Sequence, residues 1–126
     1  MKVKSASGIT CYVKNLGRTA RFYKTLGFII KAGDARHVAA YLNWYWIDFL
    51  AAAGEKRSAY RKQAAREDKA GAVFMHLSVD DVDAFHKWLG SKGIKPAGRP
   101  EDTAWGTREF LLHDPDGYNL VIFRRR

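Results

Sequence analysis

Side chains capable of acid–base, nucleophilic or metal chemistry are sparse in this chain. Its imidazoles are His37, His76, His86 and His113, and its only thiol is Cys11. A lone cysteine forms no internal disulfide and no cysteine-based zinc site. No serine or cysteine stands in a credible order with a histidine and an acid, so a nucleophilic triad is not expected. Two residues stand out by context. Asp48 is a charge inside the apolar run Trp46-Ile47-Asp48-Phe49-Leu50, and His76 sits inside Phe74-Met75-His76-Leu77-Ser78. Carboxylate and imidazole suit Fe, Mn, Ni or Zn, but a catalytic metal needs three or more converging protein ligands. Asp48 with His76 leaves the set short. A solvated edge carboxylate and a hydrogen-bonded interior histidine are the plain alternatives for the two. His37, His86 and His113 read as loop or surface residues.

What the chain has in quantity is aromatic surface: 13% of its residues are Phe, Trp or Tyr, and four are Trp. Residues two apart on a strand share a face. That alternation groups Gly8 with Thr10 and Tyr12; Trp44 with Trp46, Asp48 and Leu50; Phe74 with His76 and Ser78; and Asn119 with Val121 and Phe123. Apolar walls with a few polar points are how a pocket for a small planar molecule is commonly built. Cys11 has the opposite parity to Thr10 and Tyr12, so no nucleophile is expected there. Trp88 reads as core, while Trp44 and Trp46 fit core and pocket wall equally. Trp105 reads as a pocket edge. Arg108 either pairs with an acid across its sheet or, facing the pocket, holds an anionic group.

These residues must be positioned by a repeated unit. Thr10–Leu16 aligns with His76–Val82 at a constant shift of 66 residues, matching Val13 to Val79, Leu16 to Val82, Phe22 to Trp88 and Gly27 to Gly93. Internal repeats of this kind indicate duplicated structural units. In the first copy, residues 6–14 alternate as a strand. Asn15 caps a helix with Leu16, Ala20, Tyr23 and Leu26 on its inner face, and Gly27 stops it. A strand begins at Phe28, Gly33-Asp34 signals a turn, and residues 37–42 and 44–51 form two further strands. In the second copy, residues 73–79 form a strand, and Asp80 or Asp81 caps a helix with Val82, Phe85 and Leu89 inward. Residues 106–113 and 118–124 are strands joined by the strong turn sequence Asp114-Pro115-Asp116-Gly117. The order is βαβββ twice, an α+β class. The chain is expected to be one domain: module one over 1–53, a basic connector over 54–71, and module two over 72–126. Glu55–Lys69 is rich in helix formers and reads as an exposed helix, with Tyr60 and Ala64 resting on the domain.

Bulk properties narrow the classes. The 126 residues suit one domain, and 47% hydrophobic content supports a core. No apolar run of about 18 residues is present, so no membrane partner is expected. The start of the chain lacks the apolar stretch of a secretory signal, which with the single cysteine points to the cytoplasm. The net charge is +9. The basic residues concentrate in the connector (Lys56, Arg57, Arg61, Lys62, Arg66, Lys69) and in the tail Arg124-Arg125-Arg126. Both read as solvated segments. No helix-turn-helix, zinc-finger or RNA-binding signature accompanies them, so a nucleic-acid partner is not expected.

The stretch Val13–Phe28, with Phe22-Tyr23-Lys24-Thr25-Leu26-Gly27-Phe28 at its end, resembles the first strand–helix unit of the glyoxalase/bleomycin resistance/extradiol dioxygenase family, the vicinal oxygen chelate superfamily. Trp105-Gly106-Thr107-Arg108-Glu109-Phe110 followed by Asp114-Pro115-Asp116-Gly117 resembles the close of the second module, nearest to the bleomycin resistance branch. The resemblance implies curled mixed sheets around a groove, with the faces grouped above looking into it. It also implies a homodimer, with strands exchanged in some members. Metal-dependent members carry ligands on the first and fourth strands of each module. Those positions fall here on Gly8, Asp48, Phe74 and Val121, so at most one ligand survives. A metal-free groove without a cofactor is therefore expected, and an enzyme is not favoured. The expected ligand-binding residues are Tyr12, Trp44, Trp46, Asp48, Phe74, His76, Trp105, Arg108 and Phe110, and the expected ligand is an aromatic or glycopeptide-like small molecule such as an antibiotic. The rival expectation is a divalent-metal lyase, isomerase or dioxygenase with a displaced site at Asp48 and His76.

Overall fold

A computed structural model describes residues 1–126. The chain divides into two units, Met1–Lys69 and Ala70–Arg126, each with its own four-stranded mixed sheet. In the first unit the order is β1 (Gly8–Val13), α1 (Leu16–Thr25), β2 (Ile29–Asp34), β3 (His37–Leu42), β4 (Tyr45–Ala51) and a short helix α2 (Ser58–Ala64). In the second it is β5 (Phe74–Ser78), α3 (Val82–Ser91), β6 (Glu101–Asp102), β7 (Thr107–His113) and β8 (Asn119–Arg125). The sheets run β1-β4-β3-β2 and β5-β8-β7-β6, and in each the first strand pairs in parallel with the last. This is the βαβββ order twice, in an α+β fold.

The two helices that cross the sheets are built alike. Asn15 accepts the Arg18 amide and Asp81 accepts the Ala84 amide, each at 2.9 Å, satisfying a donor the first turn leaves open. Both helices close with the same pair of bonds. Phe28 N–H reaches Tyr23 carbonyl and Gly27 N–H reaches Lys24 carbonyl; Ile94 reaches Leu89 and Gly93 reaches Gly90. That pattern requires a left-handed residue, and Gly27 (φ 106°) and Gly93 (φ 73°) supply it. The 66-residue shift thus superimposes two equivalent helix stops.

In the first unit the core lies between α1 and one face of the sheet. Tyr23 is fully buried, edge-on to Phe22 and Phe28 and 4.7 Å from the ring of Phe49. Val13, Ile47 and Phe49 complete it. Thr19 is also buried on the inner side of α1, among the apolar positions expected from spacing. In the second unit Val82 and Leu89 of α3 are buried, as are Phe110 and Leu112 of β7 and Leu120 and Ile122 of β8, while Phe85 is half-buried.

The expectations differ from the structure at four places. Gly33 and Asp34 remain in β2, and the chain reverses at 35–36, where Asp34 accepts the Arg36 amide at 2.8 Å. The connector is helical only over Ser58–Ala64. Beyond it, the Lys69 side chain donates to the Arg66 carbonyl, which a continuing helix would use, and the Arg66 side chain pairs with Asp68. Ala64 is buried but Tyr60 is exposed. Trp88 is partly exposed on α3, stacked on Phe85 with the Lys92 ammonium 5.7 Å away, and is not core. For Trp44 and Trp46, which fit core and pocket wall equally by sequence, exposures of 78% and 37% exclude the core alternative.

Two substitutions separate core from surface aromatics. Phe49→Ala is expected to lower unfolding stability by about 3–5 kcal/mol through the cavity it leaves. Trp44→Ala, at an exposed turn, is expected to change it by less than about 0.5 kcal/mol. Urea denaturation followed by circular dichroism measures both.

Candidate functional site

The sheet face of the first unit turned away from α1 carries a hollow of about 650 Å³. Parallel pairing sets Thr10 beside Asp48 and Tyr12 beside Leu50, and antiparallel pairing brings His37 opposite Leu50. Tyr12 is nevertheless 8% exposed, because the connector closes over it. Its hydroxyl donates to Glu55 Oε2 at 3.0 Å. Glu55 is buried, and Arg57 grips it with Nε at 2.8 Å from Oε1 and Nη2 at 3.2 Å from Oε2. Arg36 adds a cation 3.7 Å away. The bonds from Arg57, aided by that from Tyr12, bring the Glu55 carboxyl down to about 2 from an ordinary 4.5. Burial, reinforced by the bond to Glu55, pushes the Tyr12 hydroxyl up. The Arg57 guanidinium lies 3.9 Å above the Tyr60 ring.

Asp48 is on an interior strand, between β1 and β3, so it is not an edge carboxylate. Its Oδ1 is 2.6 Å from His37 Nε2, and its Oδ2 accepts the Trp46 indole N–H at 3.1 Å. The indole reaches Asp48 by lying across Gly8. A methyl group at position 8 would come within 2.8 Å of both Nε1 and Cδ1 of Trp46. The His37 ring lies against Gly33 in the same manner. A divalent metal does not fit these residues. Gly8, Phe74 and Val121 offer no donor atom, Asp48 is held by two donors, and no group of three or more His, Cys, Asp or Glu side chains is placed to hold an ion.

The corresponding face of the second unit carries its own hollow, also about 650 Å³, lined by Phe74, His76, Trp105, Glu109, Leu111 and Val121 among others. Phe74 and Trp105 are 51% and 73% exposed. His76 is exposed, not interior, with its ring edge-on to Phe123 at 5.9 Å. Glu101 and Glu109 stand opposite each other on β6 and β7, and Glu109 accepts from Thr107 Oγ1 at 2.7 Å. Buried Asn119 holds the approach to β5 by donating to the carbonyls of Ala70, Gly71 and Val73.

The structure therefore brings Tyr12 and Asp48 together in one hollow, with Trp46 bonded to Asp48, and Phe74, His76 and Trp105 in the other, where buried Phe110 also contributes to the lining. The Phe110 ring packs on His86 of α3 at 4.9 Å. Trp44 joins neither. Arg108 shares the α3-facing parity of Phe110 and forks onto Asp83 at 2.8 and 2.9 Å, with Asp102 at 3.1 Å. Those bonds, to Asp83 first, lower the Asp83 carboxyl and raise the guanidinium, so Arg108 clamps α3 to β6 and β7. His37, Glu55, Arg57 and Tyr60 were not expected here. For His37 a signal existed: in a hairpin turning at 43–44, residues 37 and 50 are equidistant from the turn and share a face with Asp48. Glu55 gave only that of a lone acid among bases.

Residues 7–122 match the family described as the Glyoxalase/Bleomycin resistance protein/Dioxygenase superfamily. No curated protein matches the chain. Among solved structures, it is similar to a bleomycin resistance determinant encoded on the transposon Tn5, at 24% identity over 98% of this chain and 99% of that one, with a TM-score of 0.69. It is similar to a member of the same superfamily from Sphaerobacter thermophilus at 20% identity, covering 96% and 97%, TM-score 0.73. A glyoxalase/bleomycin resistance protein/dioxygenase from Nocardioides matches at 16% identity, covering 99% and 85%, TM-score 0.78.

Two outcomes follow from this geometry. Gly8→Ala should displace both the indole and the Trp46 backbone carbonyl that the new methyl group also meets, changing the tryptophan emission and costing about 1–3 kcal/mol in a urea titration. The Glu55 ion pair should be acid-sensitive in a defined direction. A carboxyl held below its ordinary value stabilises the folded chain fully above about pH 4.5 and ceases to as pH falls toward about 2. The stability gap between wild type and Glu55→Gln, measured by denaturation at several pH values, should be widest above pH ~5 and close near pH ~2.

Proposed function

Because the chain belongs to the Glyoxalase/Bleomycin resistance protein/Dioxygenase superfamily, we propose that it is a metal-independent binding protein that sequesters a planar aromatic small molecule, of the kind found among antibiotics. One observation carries this reading. The Trp46 indole lies over Gly8 and donates to Asp48, so hydrogen-bonding and stacking groups stand where the chelate enzymes carry ligands. The second unit's hollow sets Phe74, Trp105, Leu111 and Val121 beside polar side chains, and the first unit's sets Tyr12, Tyr60 and Leu50 among charged ones, a mix of contacts suited to small-molecule recognition. Offset or edge contact with each flat side chain contributes about 0.5–1.5 kcal/mol beyond area burial. The reading includes a homodimer located in the cytoplasm. A chain of net charge +9 does not favour a cationic drug of the bleomycin type over neutral or anionic ones. The metalloenzyme alternative has less behind it, since Asp48 is already held by His37 and Trp46, and His76 lines the hollow of the other unit.

The test is a titration of the full chain with planar aromatic antibiotics, bleomycin included, followed by tryptophan fluorescence and calorimetry. Saturable binding that survives EDTA is expected. Flat titrations throughout, or stoichiometric Fe, Mn, Ni or Zn whose removal abolishes binding, would overturn the reading.

A further inference from the structure

The charged groups around the first unit's hollow do not balance in their hydrogen bonds. Asp34, Arg36, His37, Asp48 and Arg57 line it, and Glu55 lies buried against Arg57. Every carboxylate among them already has donors: Asp34 the Arg36 amide, Asp48 the indole and imidazole, Glu55 the guanidinium of Arg57 and the Tyr12 hydroxyl. The guanidiniums are only partly used. Arg57 spends Nε and Nη2 on Glu55, and Arg36 spends Nε and Nη2 on the carbonyls of Ala53 and Ala51. Nη1 of each has no protein partner. Two cations thus share one buried carboxylate, and both side chains line a hollow that also holds Tyr12, Tyr60 and Leu50.

The donors are also held in place. Arg57 is fixed by a two-point grip on Glu55 and by lying flat on Tyr60 at 3.9 Å. Arg36 is fixed by two backbone carbonyls. A long side chain anchored in advance loses less freedom when it meets a ligand, and guanidinium donors match the planar spacing of an oxyanion. We propose that the hollow of the first unit recognises an oxyanion, carboxylate or phosphoryl, carried on a planar ring: Arg57 and Arg36 hold the oxyanion, and the ring lies along Tyr12 and Leu50. The proposal rests on the small-molecule reading above and names its ligand class at this hollow. It gives the connector, with Glu55, Arg57 and Tyr60, a role as one wall of the site. The +9 net charge favours approach of the same ligands.

Calorimetry with benzoate, phenyl phosphate, benzamide and benzamidine tests it on the full chain. Benzoate, phenyl phosphate or both should bind about tenfold more tightly than benzamide, with benzamidine weakest, as expected for a charge-assisted bond. The anion that shows the preference identifies the carboxylate or phosphoryl source. Arg57→Gln alone leaves a buried carboxylate short of donors, so the informative variant is Arg57→Gln with Glu55→Gln, which removes both charges together. It should reduce the preference for the anion over benzamide by about threefold or more, Arg36 remaining as the second cation, and Trp105→Ala, in the other unit, should leave the preference unchanged. Equal binding of benzoate, phenyl phosphate and benzamide, a preference for benzamidine, or a preference undiminished in the double variant would overturn the oxyanion assignment without touching the broader reading. Failure of all four probes would also overturn it, while the broader reading stands or falls on the titrations with larger aromatic compounds.

Discussion

A carboxylate cannot be taken out of water alone; it needs several donors close by, or it becomes a large penalty. Glu55 is such a group, and much of the first unit is arranged around meeting its requirement. Its partners come from β1, from the turn between β2 and β3, and from the connector. Satisfying one buried acid therefore draws three separated stretches of chain onto the same spot. Tyr12 is buried by it, Arg57 is aimed by it, and α2 starts immediately after it. A buried ion pair of this kind adds little net stability compared with an apolar replacement, but it specifies geometry, because only one arrangement supplies all the bonds.

A second constraint is steric. The indole of Trp46 and the imidazole of His37 occupy their places only because Gly8 and Gly33 present no side chain. The two rings then meet at Asp48. A side chain at position 8 and this indole–carboxylate–imidazole cluster exclude each other. Within the family frame, Asp48 is held by an imidazole on one oxygen and an indole on the other.

Features set by short-range chemistry were legible in the sequence. The caps at Asn15 and Asp81, the stops at Gly27 and Gly93 and the Asp114–Gly117 turn involve neighbours a few residues apart, and residue type alone implies them. Strand parity also grouped Gly8 with Thr10 and Tyr12, and Trp46 with Asp48 and Leu50, because the alternation is a property of each strand; that the two groups share a face came from the family resemblance. Contacts that depend on register or on tertiary closure were not legible. His37 meets Asp48 through the register of a hairpin, and Tyr12 meets Glu55 through the folding-back of a connector whose composition signals only a solvated helix. Arg108 shows the intermediate case: its pairing with an acid was foreseeable, while its choice of the α3 side follows from β7 parity, in which Glu109 and Leu111 take the other face.

The twin helix stops at Gly27 and Gly93 bear on the chain's history. Each unit carries complete local instructions for starting its helix, ending it and turning back into its sheet. Scaffold and surface are thereby separable within each copy, and a substitution on one open face need not disturb the other copy's architecture. The outcome is visible as divergence in chemical character. One face has acquired surplus guanidinium donors, while the other has acquired opposed glutamates beside exposed rings. Two frames with the same strand order thus carry different side chains on their open faces.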